Sequence, residues 1–531
     1  MPVPDPFRDG MARGWKTHDG STLTQDLTLE ADVAIIGSGA GGGTTAEILS
    51  AAGYKVLLIE EGPLKTSSDF KMLEDAAYAS LYQEGIGRLS KDGAITILQG
   101  RAVGGTTLIN WTSSFRTPAP TLEHWAREHN VKGHGVAEMA PWFEKMEQRL
   151  GVAPWRVPPN ANNEVIKKGC EQLGYSWQVI PRNVRGCWNL GYCGMGCPTN
   201  AKQSMLVTTI PATLESGGEL LYLARAEKLL IDGERVTGLQ CVAMDERCVA
   251  PTGRRIRVKA RHYVLAGGGI NSPALLLRSG APDPHARLGK RTFLHLVNMS
   301  AGHFDEVINP FYGAPQSIYS DHFQWQNGTT GPMSYKLEVP PLHPALAATL
   351  FGGFGSDNAL RMAQLPNTHA MLALMRDGFH PDSPGGHVQL RSDDTPVLDY
   401  SLTPYGWEGL KRAFHSMAEI QFAAGASAVM PLHSDAGYTT RLRATRDLID
   451  SLSLELYRTR LASAHVMGGC AMGENSQMAV SDSLGRHHQL QNLSIHDGSL
   501  FPTSIGANPQ LSVYGLTAKL ATRLAERLKN S

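Results

Sequence analysis

The chain has 531 residues, which favours two or three folding units, and its 49 basic and 49 acidic residues give a formal net charge of zero. Without net charge the chain has no bulk attraction for nucleic acid, so we expect no nucleic-acid partner. No apolar run approaches the roughly 20 residues that span a bilayer, and the N-terminal stretch MPVPDPFRDGMARG lacks the apolar core of a secretory signal.

The first organised segment is ADVAIIGSGAGGGTTAEILSAAGYKVLLIEEGP. Its apolar run at 32–36 predicts a short buried strand. A glycine-rich turn and a small-residue helix ending at about Ala52 follow, and Lys55–Glu60 predicts a second strand. This order of elements is the βαβ unit of nucleotide-binding folds.

Gly37, Gly39 and Gly42 fit the pattern G-x-G-x-x-G at the turn of this unit. Glycines there permit a tight turn, close approach of a pyrophosphate and close packing of helix on strand, and the phosphates lie at the helix N-terminus. Glu60, at the end of the second strand, is placed to bind a ribose hydroxyl, and an acid there argues against NADP. The unit predicts a dinucleotide site and leaves NAD and FAD open; the alternative is a glycine turn that only packs a helix.

Two later segments have a similar order of strand, glycine-containing turn and helix. The stretches between these segments differ from them in composition. Residues 257–280 predict a strand, a glycine turn and an apolar helix, and near the end QNLSIHDGSLFP leads into the helix-like SVYGLTAKLATRLAERL. Residues 116–199 are rich in Trp, Pro and turn residues. Residues 286–454 contain the alternating stretch GGHVQLRSDDTPVLDYSLT, which predicts strands, and a helix-like segment at Trp407–Phe422.

We therefore predict an α/β protein with a discontinuous nucleotide-binding domain, interrupted by two insertions that form a second, sheet-containing domain. The nucleotide-binding domain is assigned to residues 1–115, 200–285 and 455–531, and the second domain to residues 116–199 and 286–454.

Three of the seven cysteines, Cys187, Cys193 and Cys197, are spaced C-x5-C-x3-C. An iron–sulfur cluster normally needs four cysteines. Zinc held by these three and a remote His, or a disulfide, are alternatives to a plain glycine-rich loop near the cofactor. We expect no metal. The odd cysteine count is typical of a reducing compartment, so we expect a cytoplasmic protein, with peripheral membrane contact through an apolar patch left open.

Four glycine-containing motifs occur in a specific order: the first βαβ unit, then QGRAVGGTTLIN at 99–110, VLAGGGINSPALLLRSG, and DGSLFPTSIGANPQLSVYGL near the end. In this order they resemble the glucose–methanol–choline (GMC) oxidoreductase family, whose members are FAD-dependent alcohol oxidases and dehydrogenases. The resemblance covers about half the chain well. It implies a Rossmann-like FAD-binding domain joined to a discontinuous α+β substrate-binding domain built on an antiparallel sheet.

The resemblance also implies a set of cofactor contacts. Those to the ADP half of FAD fall on Gly37, Gly39, Gly42, Glu60 and the backbone of Ala226. Those to the diphosphate, the flavin or the rest of the cofactor fall on Gly104, Gly105, Thr106, Asn110, Asp497 and Pro509. Some members attach FAD through a histidine in the GGTTLIN region, but the residue before Asn110 is Ile109, so we expect non-covalent FAD.

A catalytic histidine is implied by the segment HVMGGCAMG, which is similar to the family pattern H-x-x-G-[TG]-C-x-M-G. It assigns His465 as the acid/base, and GANPQ assigns Asn508 as its partner, which orients the substrate oxygen. Alcohol oxidation removes a hydroxyl proton and transfers a hydride to flavin N5, and a histidine that titrates near neutrality suits the proton step. The alternative for His465 is a structural histidine in the core.

The residues of these two motifs are most similar to those of the cholesterol-oxidase and long-chain-alcohol-oxidase branches, which take large apolar alcohols. The cholesterol-oxidase branch also uses a glutamate in the substrate domain as a base, and Glu338 in PMSYKLEVPPLHP has a similar apolar strand context. A salt-bridged or exposed glutamate is an equal alternative. His295 and His303 flank an apolar stretch and are either core or substrate-lining residues.

We therefore expect an FAD-dependent oxidase or dehydrogenase that converts a hydrophobic alcohol to an aldehyde or ketone. The electron acceptor is O2, a quinone or a carrier protein. The alternatives are a flavin-dependent lyase or decarboxylase on the same scaffold, a sugar or polyol dehydrogenase, a non-catalytic flavin- or lipid-binding protein and, last, a metalloprotein.

Overall fold

The computed structural model describes residues 3–530. The helices of this part of the chain are α1 (Pro6–Ala12), α2 (Ala40–Ala51), α3 (Glu74–Leu81), α4 (Ala119–Glu128), α5 (Val136–Leu150), α6 (Ala161–Leu173), α7 (Thr209–Glu215), α8 (Gly268–Arg278), α9 (Pro344–Phe351), α10 (Gly355–Ala363), α11 (Pro404–Ala423), α12 (Leu442–Ser451) and α13 (Gln510–Lys529).

The strands are β1 (Thr17–Asp19), β2 (Leu27–Ile36), β3 (Val56–Ile59), β4 (Ile95–Ile97), β5 (Val152–Pro154), β6 (Gln178–Val179), β7 (Pro181–Asn183), β8 (Glu219–Tyr222), β9 (Ala224–Asp232), β10 (Arg235–Met244), β11 (Pro251–Leu265), β12 (Lys290–Phe293), β13 (Val297–His303), β14 (Ile318–Ser320), β15 (Tyr335–Glu338), β16 (Thr368–Met375), β17 (Gly386–Leu390), β18 (Pro396–Asp399), β19 (Ala428–Pro431), β20 (Leu461–Ser463), β21 (Met467–Gly468) and β22 (Leu493–Ile495).

The first sheet carries the predicted βαβ unit. Its strand order is β1-β8-β3-β2-β11-β10-β9, with β22 beside β11. Strands β1, β8, β3, β2, β11 and β22 run parallel to one another, whereas β10 pairs antiparallel with both β11 and β9. Residues 33–36 and 56–59 are buried, as expected for parallel strands covered on both faces. Helices α2 and α13 pack against each other beside this sheet.

The second large sheet has the order β4-β20-β13-β16-β15-β14-β6, with β19 also paired to β13. Its central pairs, β13 with β16 and β16 with β15, are antiparallel, as the family resemblance implies for this domain. Alternation along β16 divides its side chains between two cores. Met371 and Ala373 pack in a cluster with Phe414 and Met417 of α11, while Leu372 and Leu374 belong to a cluster on the other side.

The domains predicted from sequence share this second sheet. Strands β4 and β20 lie in segments assigned to the nucleotide-binding domain, yet β20 pairs with β13 of the second domain. A smaller sheet, β18-β17-β12-β21, joins the two in the same way through β21. The domain boundaries stay a prediction. None of the helices within residues 3–530 is long and apolar enough to cross a membrane.

Candidate active site

A continuous cavity of about 940 Å³ runs from the glycine turns of the first sheet to the face of the second. Most residues assigned to the cofactor line it: Gly37, Gly39, Glu60, Gly105, Thr106, Asn110, Ala226, Asp497 and Pro509. His465 and Asn508 also line it. The remaining assigned residues, Gly42, Gly104 and Glu338, lie behind the cavity wall and support groups that do line it.

The two glycine turns approach each other closely at one end of the cavity. Gly39 is the N-cap of α2, and a Cβ on Gly105, whose φ is +55°, would lie 2.8 Å from the Gly39 Cα. A Cβ on Gly42 would lie 1.8 Å from the Gly37 carbonyl oxygen, so the helix can pack on its turn only with glycine there. The first turn of α2 therefore lines the cavity with backbone amides, an arrangement that favours anionic phosphates.

Ser38 connects Glu60 to the second glycine turn. Its backbone N–H and hydroxyl donate to Glu60 Oε2 at 3.1 and 2.5 Å, and its Oγ accepts the Gly104 N–H at 2.9 Å. The Gly62 N–H donates to Glu60 Oε1 at 2.9 Å. Burial raises the pKa of Glu60, and these donors oppose the rise. The carboxyl group is thus held in one orientation beside the cavity.

Asn110 lines the cavity and is held there by two neighbours. Its Nδ2 donates to Gln510 Oε1 at 2.6 Å, and the buried ammonium of Lys202 donates to its backbone carbonyl at 2.9 Å. Lys202 Nζ also donates to the carbonyls of Leu108 and Cys193, both at 2.6 Å. Asn110 Oδ1 is buried and has no hydrogen-bond partner within residues 3–530, so it is available to a ligand.

Asp497 and Ala226 lie at the ends of elements that border the cavity. Asp497 Oδ2 accepts from the Gly268 N–H at 2.8 Å and from Ser272 Oγ at 2.6 Å, which ties the start of α8 to this wall. The Ala226 carbonyl accepts from Arg278 at 3.1 Å. Pro509 directly precedes α13, so the N-terminus of this long helix lies at the cavity.

Asn508, one of the catalytic candidates at the cavity wall, is held by a buried pair of charged residues. Asn508 Nδ2 donates to Glu338 Oε2 at 3.0 Å, and Glu338 Oε1 lies 3.3 Å from the Nζ of Lys336. Glu338 and Lys336 are 0% and 2% exposed, and the Lys336 ammonium lies over the rings of Phe115 and Tyr319. Burial raises the pKa of Glu338 and lowers that of Lys336 to about 8, and each partner opposes the shift of the other.

His465 presents a neutral imidazole to the cavity. Burial, with a smaller contribution from the Lys336 charge, lowers the pKa of His465 to about 3. Its Nδ1 lies 3.0 Å from Nδ1 of His295, a residue that is 0% exposed. A neutral ring has one nitrogen lone pair available to accept a proton, which is the state that a general base requires.

Apolar side chains form the rest of the wall. Val297 and Met299 of β13 pair in register with Leu374 and Leu372 of β16, and all four line the cavity from one face of the sheet. The segment around α9 adds Leu342, Leu346 and Leu350. The cavity thus combines a polar end that suits phosphates, a neutral histidine and an apolar wall.

Comparisons with known proteins identify the family. Two models of the GMC oxidoreductase family match residues 78–297 and 381–517. The chain is 30% identical to "Long-chain-alcohol oxidase FAO4B" of Arabidopsis thaliana, over 96% of this chain and 71% of the relative, and 27% identical to FAO1 of the same plant, over 96% and 69%. The chain belongs to the GMC oxidoreductase family.

The fold agrees with that assignment. Pyridoxine 4-oxidase from Mesorbium loti superposes with a TM-score of 0.68 at 18% identity, over 93% of this chain and 98% of that one. As a GMC oxidoreductase, the protein is an FAD-dependent enzyme that acts on CH–OH groups. The glycine cradle and the unpartnered, buried Asn110 Oδ1 fit such a dinucleotide.

The three cysteines of the loop in this GMC oxidoreductase are free thiols, and so are the other four cysteines. Within residues 3–530, no group of three His, Cys, Asp or Glu side chains is arranged to hold a metal ion. The loop instead contacts the cofactor wall, because Lys202 joins the Cys193 carbonyl to that of Asn110. The role of this loop beside the cofactor stays a prediction.

Four side chains of the GMC oxidoreductase site escaped assignment from the sequence: Ser38, Lys202, Lys336 and His295. Ser38 lies inside the fingerprint at a position where any residue is allowed. Lys336 and Lys202 look like surface lysines in a linear sequence, because nothing local shows that they are buried. His295 carried a signal, its apolar flanks, but its contact with His465 joins residues 170 positions apart.

Proposed function

We propose that this GMC oxidoreductase oxidises long-chain or otherwise hydrophobic alcohols to aldehydes or ketones. The observation that carries the proposal is that His465 and Asn508 line the same cavity as the paired apolar residues of β13 and β16. A hydroxyl group at the histidine leaves the remainder of the substrate against aliphatic side chains, which favours apolar over sugar substrates. The name of the Arabidopsis relatives supports the same substrate class.

Bound FAD supplies the hydride acceptor, N5 of the flavin. In the proposed mechanism His465 accepts the hydroxyl proton at Nε2, since Nδ1 is occupied by His295. Asn508 orients the hydroxyl oxygen, because its Nδ2 carries two protons and Glu338 accepts only one of them. Together these groups hold the carbinol carbon in one position, which is the entropic part of the catalysis.

Glu338 acts through Asn508 in this proposal, as a positioning residue. It is fully buried, and its Oε2 is engaged by the amide of Asn508. An ionised carboxylate can only accept hydrogen bonds, so it fixes which end of the amide faces it. The ion pair with Lys336 opposes the rise in the pKa of Glu338 that burial causes, and so favours the charged carboxylate.

The cofactor is held, in this proposal, by the residues that the sequence assigned to it and without a covalent bond. Backbone amides at the start of α2 bind the diphosphate, Glu60 a ribose hydroxyl, and Asn110 the flavin side. The N-terminus of α13, at Pro509, favours negative charge on the group that lies against it.

Molecular oxygen is the proposed electron acceptor, because the Arabidopsis relatives are named oxidases. Air reoxidation of the reduced flavin within seconds supports oxygen. Slow reoxidation by air but fast reoxidation by a soluble quinone or a dye that replaces a carrier protein identifies a dehydrogenase instead.

We also propose peripheral membrane contact at the mouth of the cavity. Tyr457 lines the cavity and is 63% exposed, α9 contributes Leu346 and Leu350 to the wall, and Phe354, just beyond α9, is 91% exposed. An apolar rim next to an apolar cavity lets a water-insoluble alcohol enter from lipid. Co-sedimentation with phosphatidylcholine vesicles that falls in a Phe354→Ser variant supports this contact, and equal sedimentation contradicts it.

Anaerobic flavin reduction tests the proposed function. The purified holoenzyme is mixed with 1-alkanols of increasing chain length, a sterol and glucose, and bleaching of the oxidised flavin band is followed. Stoichiometric bleaching that becomes faster with chain length supports the proposal. Bleaching by glucose alone makes it a sugar dehydrogenase, and no bleaching by any alcohol favours a lyase, a decarboxylase or a non-catalytic flavin-binding protein.

A further inference from the structure

His295 is a buried histidine directly behind His465, and its place in the fold is fixed by its backbone. It lies between β12 and β13 in the left-handed conformation, with φ +47°. Its backbone N–H and that of Leu294 donate to the carboxylate of Asp377 at 3.1 and 3.0 Å, and Tyr400 Oη donates to the same carboxylate at 2.8 Å. This network sets the direction of the His295 side chain.

The contact between the two imidazoles is made through like atoms. The two Nδ1 atoms are 3.0 Å apart and the ring planes are inclined by 31°. Two nitrogens at that distance share one proton, so one ring donates and the other accepts. The contact therefore couples the tautomer of His465 to that of His295, and only two arrangements are possible while both rings are neutral.

In the first arrangement His465 donates its Nδ1–H to His295, and the Nε2 of His465 keeps a lone pair. In the second His295 donates, and the Nε2 of His465 carries the proton. Only the first leaves a base on the nitrogen that the contact with His295 does not occupy. It places the N–H of His295 on Nε2, a buried atom with no hydrogen-bond partner within the described residues 3–530.

We infer that His295 is a positioning residue that holds His465 in the Nδ1–H tautomer and stabilises the imidazolium formed when His465 takes the hydroxyl proton. The inference rests on the proposed function of His465. In this step the substrate O–H bond breaks, the proton bonds to His465 Nε2, and the electron pair stays on oxygen. The Nδ1–H of His465 remains donated to His295, which gains no proton.

The surroundings of His295 disfavour its protonated form. Burial, the neighbouring His465 and the charge of Lys336 hold the pKa of His295 well below its usual range. The same Lys336 charge also acts on His465, and the carboxylate of Asp377 is occupied by backbone donors on the other side of His295. A neutral His295 can therefore serve as an acceptor throughout the reaction.

Nitrogen-15 NMR of histidine-labelled holoenzyme tests the tautomer without any change at His295. The resonances of His465 are assigned by their loss in a His465→Ala variant. We expect a protonated Nδ1 and an unprotonated Nε2 on His465. The reverse assignment overturns the inference, whether or not an alcohol reduces the flavin, so its failure is distinguishable from failure of the proposed function.

Two substitutions test the kinetic role. His295→Asn keeps an acceptor near the Nδ1 position and tolerates the left-handed backbone, whereas His295→Leu removes the acceptor. With the alkanol that best reduces the wild type, we expect the Leu variant to lose about 10²-fold in flavin reduction rate at an unchanged alcohol Kd, and the Asn variant to recover most of it.

Equal rates for the Leu variant and the wild type contradict the inference, as do equal losses in both variants with FAD bound. If the Leu variant fails to retain FAD, the comparison is made between the wild type and His295→Asn by NMR. His465 must then keep its protonated Nδ1 in both proteins.

Discussion

Asn508 donates its side-chain N–H to Glu338 Oε2 over 3.0 Å, at a position where both groups are almost completely buried. Glu338 is in turn paired with the buried Lys336, so a chain of three polar side chains ends at the cavity wall. The carboxylate decides which way the amide faces, since it can accept but not donate. The orientation of Asn508 thus depends on residues that the substrate does not touch.

An exchange of donor and acceptor tests this dependence. Asn508→Asp alone puts two carboxylates in contact and removes the donor, so we expect flavin reduction to fall by about 10²-fold at neutral pH. Because contacting carboxylates share a proton, the loss should shrink as the pH falls. The double variant Glu338→Gln/Asn508→Asp restores one donor and one acceptor between the two side chains and keeps the charge opposite Lys336, so we expect it to regain much of the melting temperature lost in Asn508→Asp. Its flavin reduction should stay slow, because position 508 then has no N–H for the substrate oxygen. A double variant no more stable than Asn508→Asp contradicts the proposed pairing.

Lys336 is expected to matter for stability because Glu338 has no other cationic partner in the described part of the chain. Removing one member of a buried ion pair costs about 3–5 kcal/mol, so Lys336→Met should markedly lower the melting temperature of the holoenzyme. The matched double variant Lys336→Met/Glu338→Gln leaves no unpaired charge and should regain much of the loss. A single variant as stable as the double shows that the pair is not charged.

The pH dependence of flavin reduction follows from His465. Burial lowers its pKa from 6.5 to about 3, so the base stays neutral when the medium is mildly acidic. We expect the anaerobic reduction rate with a 1-alkanol to stay level from about pH 7 to about pH 5. A reduction rate that falls as the pH drops through the usual histidine pKa of about 6.5 contradicts that expectation.

The lowered pKa of His465 also makes the stability of the fold depend on pH. Below about pH 6.5 the unfolded chain binds a proton at His465 that the folded chain does not bind, so acidification destabilises the fold through this group. Wild type should therefore lose more stability between about pH 6.5 and 4.5 than His465→Gln, measured by thermal melting. Parallel losses in the two proteins place the His465 pKa near its ordinary value.

The apolar face of the second sheet should set the accepted chain length. Met299 lies opposite Leu372 at the cavity, and Met299→Trp fills space there, so we expect the preferred alkanol to become shorter. Met371, on the opposite face of β16, provides the control, because Met371→Leu conserves volume in the core. Steady-state kcat/KM across 1-alkanols measures both. An unchanged profile in Met299→Trp removes this wall from the substrate site.

Local patterns in the sequence predicted the parts of the fold that depend on local chemistry. Helix α2 at Ala40–Ala51 and strand β3 at Val56–Ile59 lie within about one residue of their expected bounds, because glycine spacing and buried apolar runs specify them directly. Strand β2 ends at Ile36 as expected but begins at Leu27, well before the expected start at residue 32. The helix expected at Trp407–Phe422 is α11, Pro404–Ala423. The placement of β20 and β21 in sheets with second-domain strands was not visible, since strand partners distant in the chain leave no local trace.

In the candidate site, too, the sequence predicted residues within local motifs but not their contacts with residues distant in the chain. His465 and Asn508 were assigned by motif resemblance, and both line the cavity. Their supporting partners, His295 and Glu338, lie 170 positions away from them in the chain. Glu338 was assigned as a base, with a salt bridge as the alternative; the structure shows the salt bridge and adds the contact with Asn508. Such support comes from tertiary packing, which one sequence does not display.

Rapid anaerobic mixing of wild type and His465→Ala with the best 1-alkanol tests most directly whether His465 takes the hydroxyl proton. We expect both proteins to retain FAD, and the variant to bleach its flavin about 10²–10⁴-fold more slowly. Because the hydroxyl proton is removed by the histidine, added imidazole should restore part of the rate. Bleaching at the wild-type rate in the FAD-loaded His465→Ala variant contradicts the proposed mechanism.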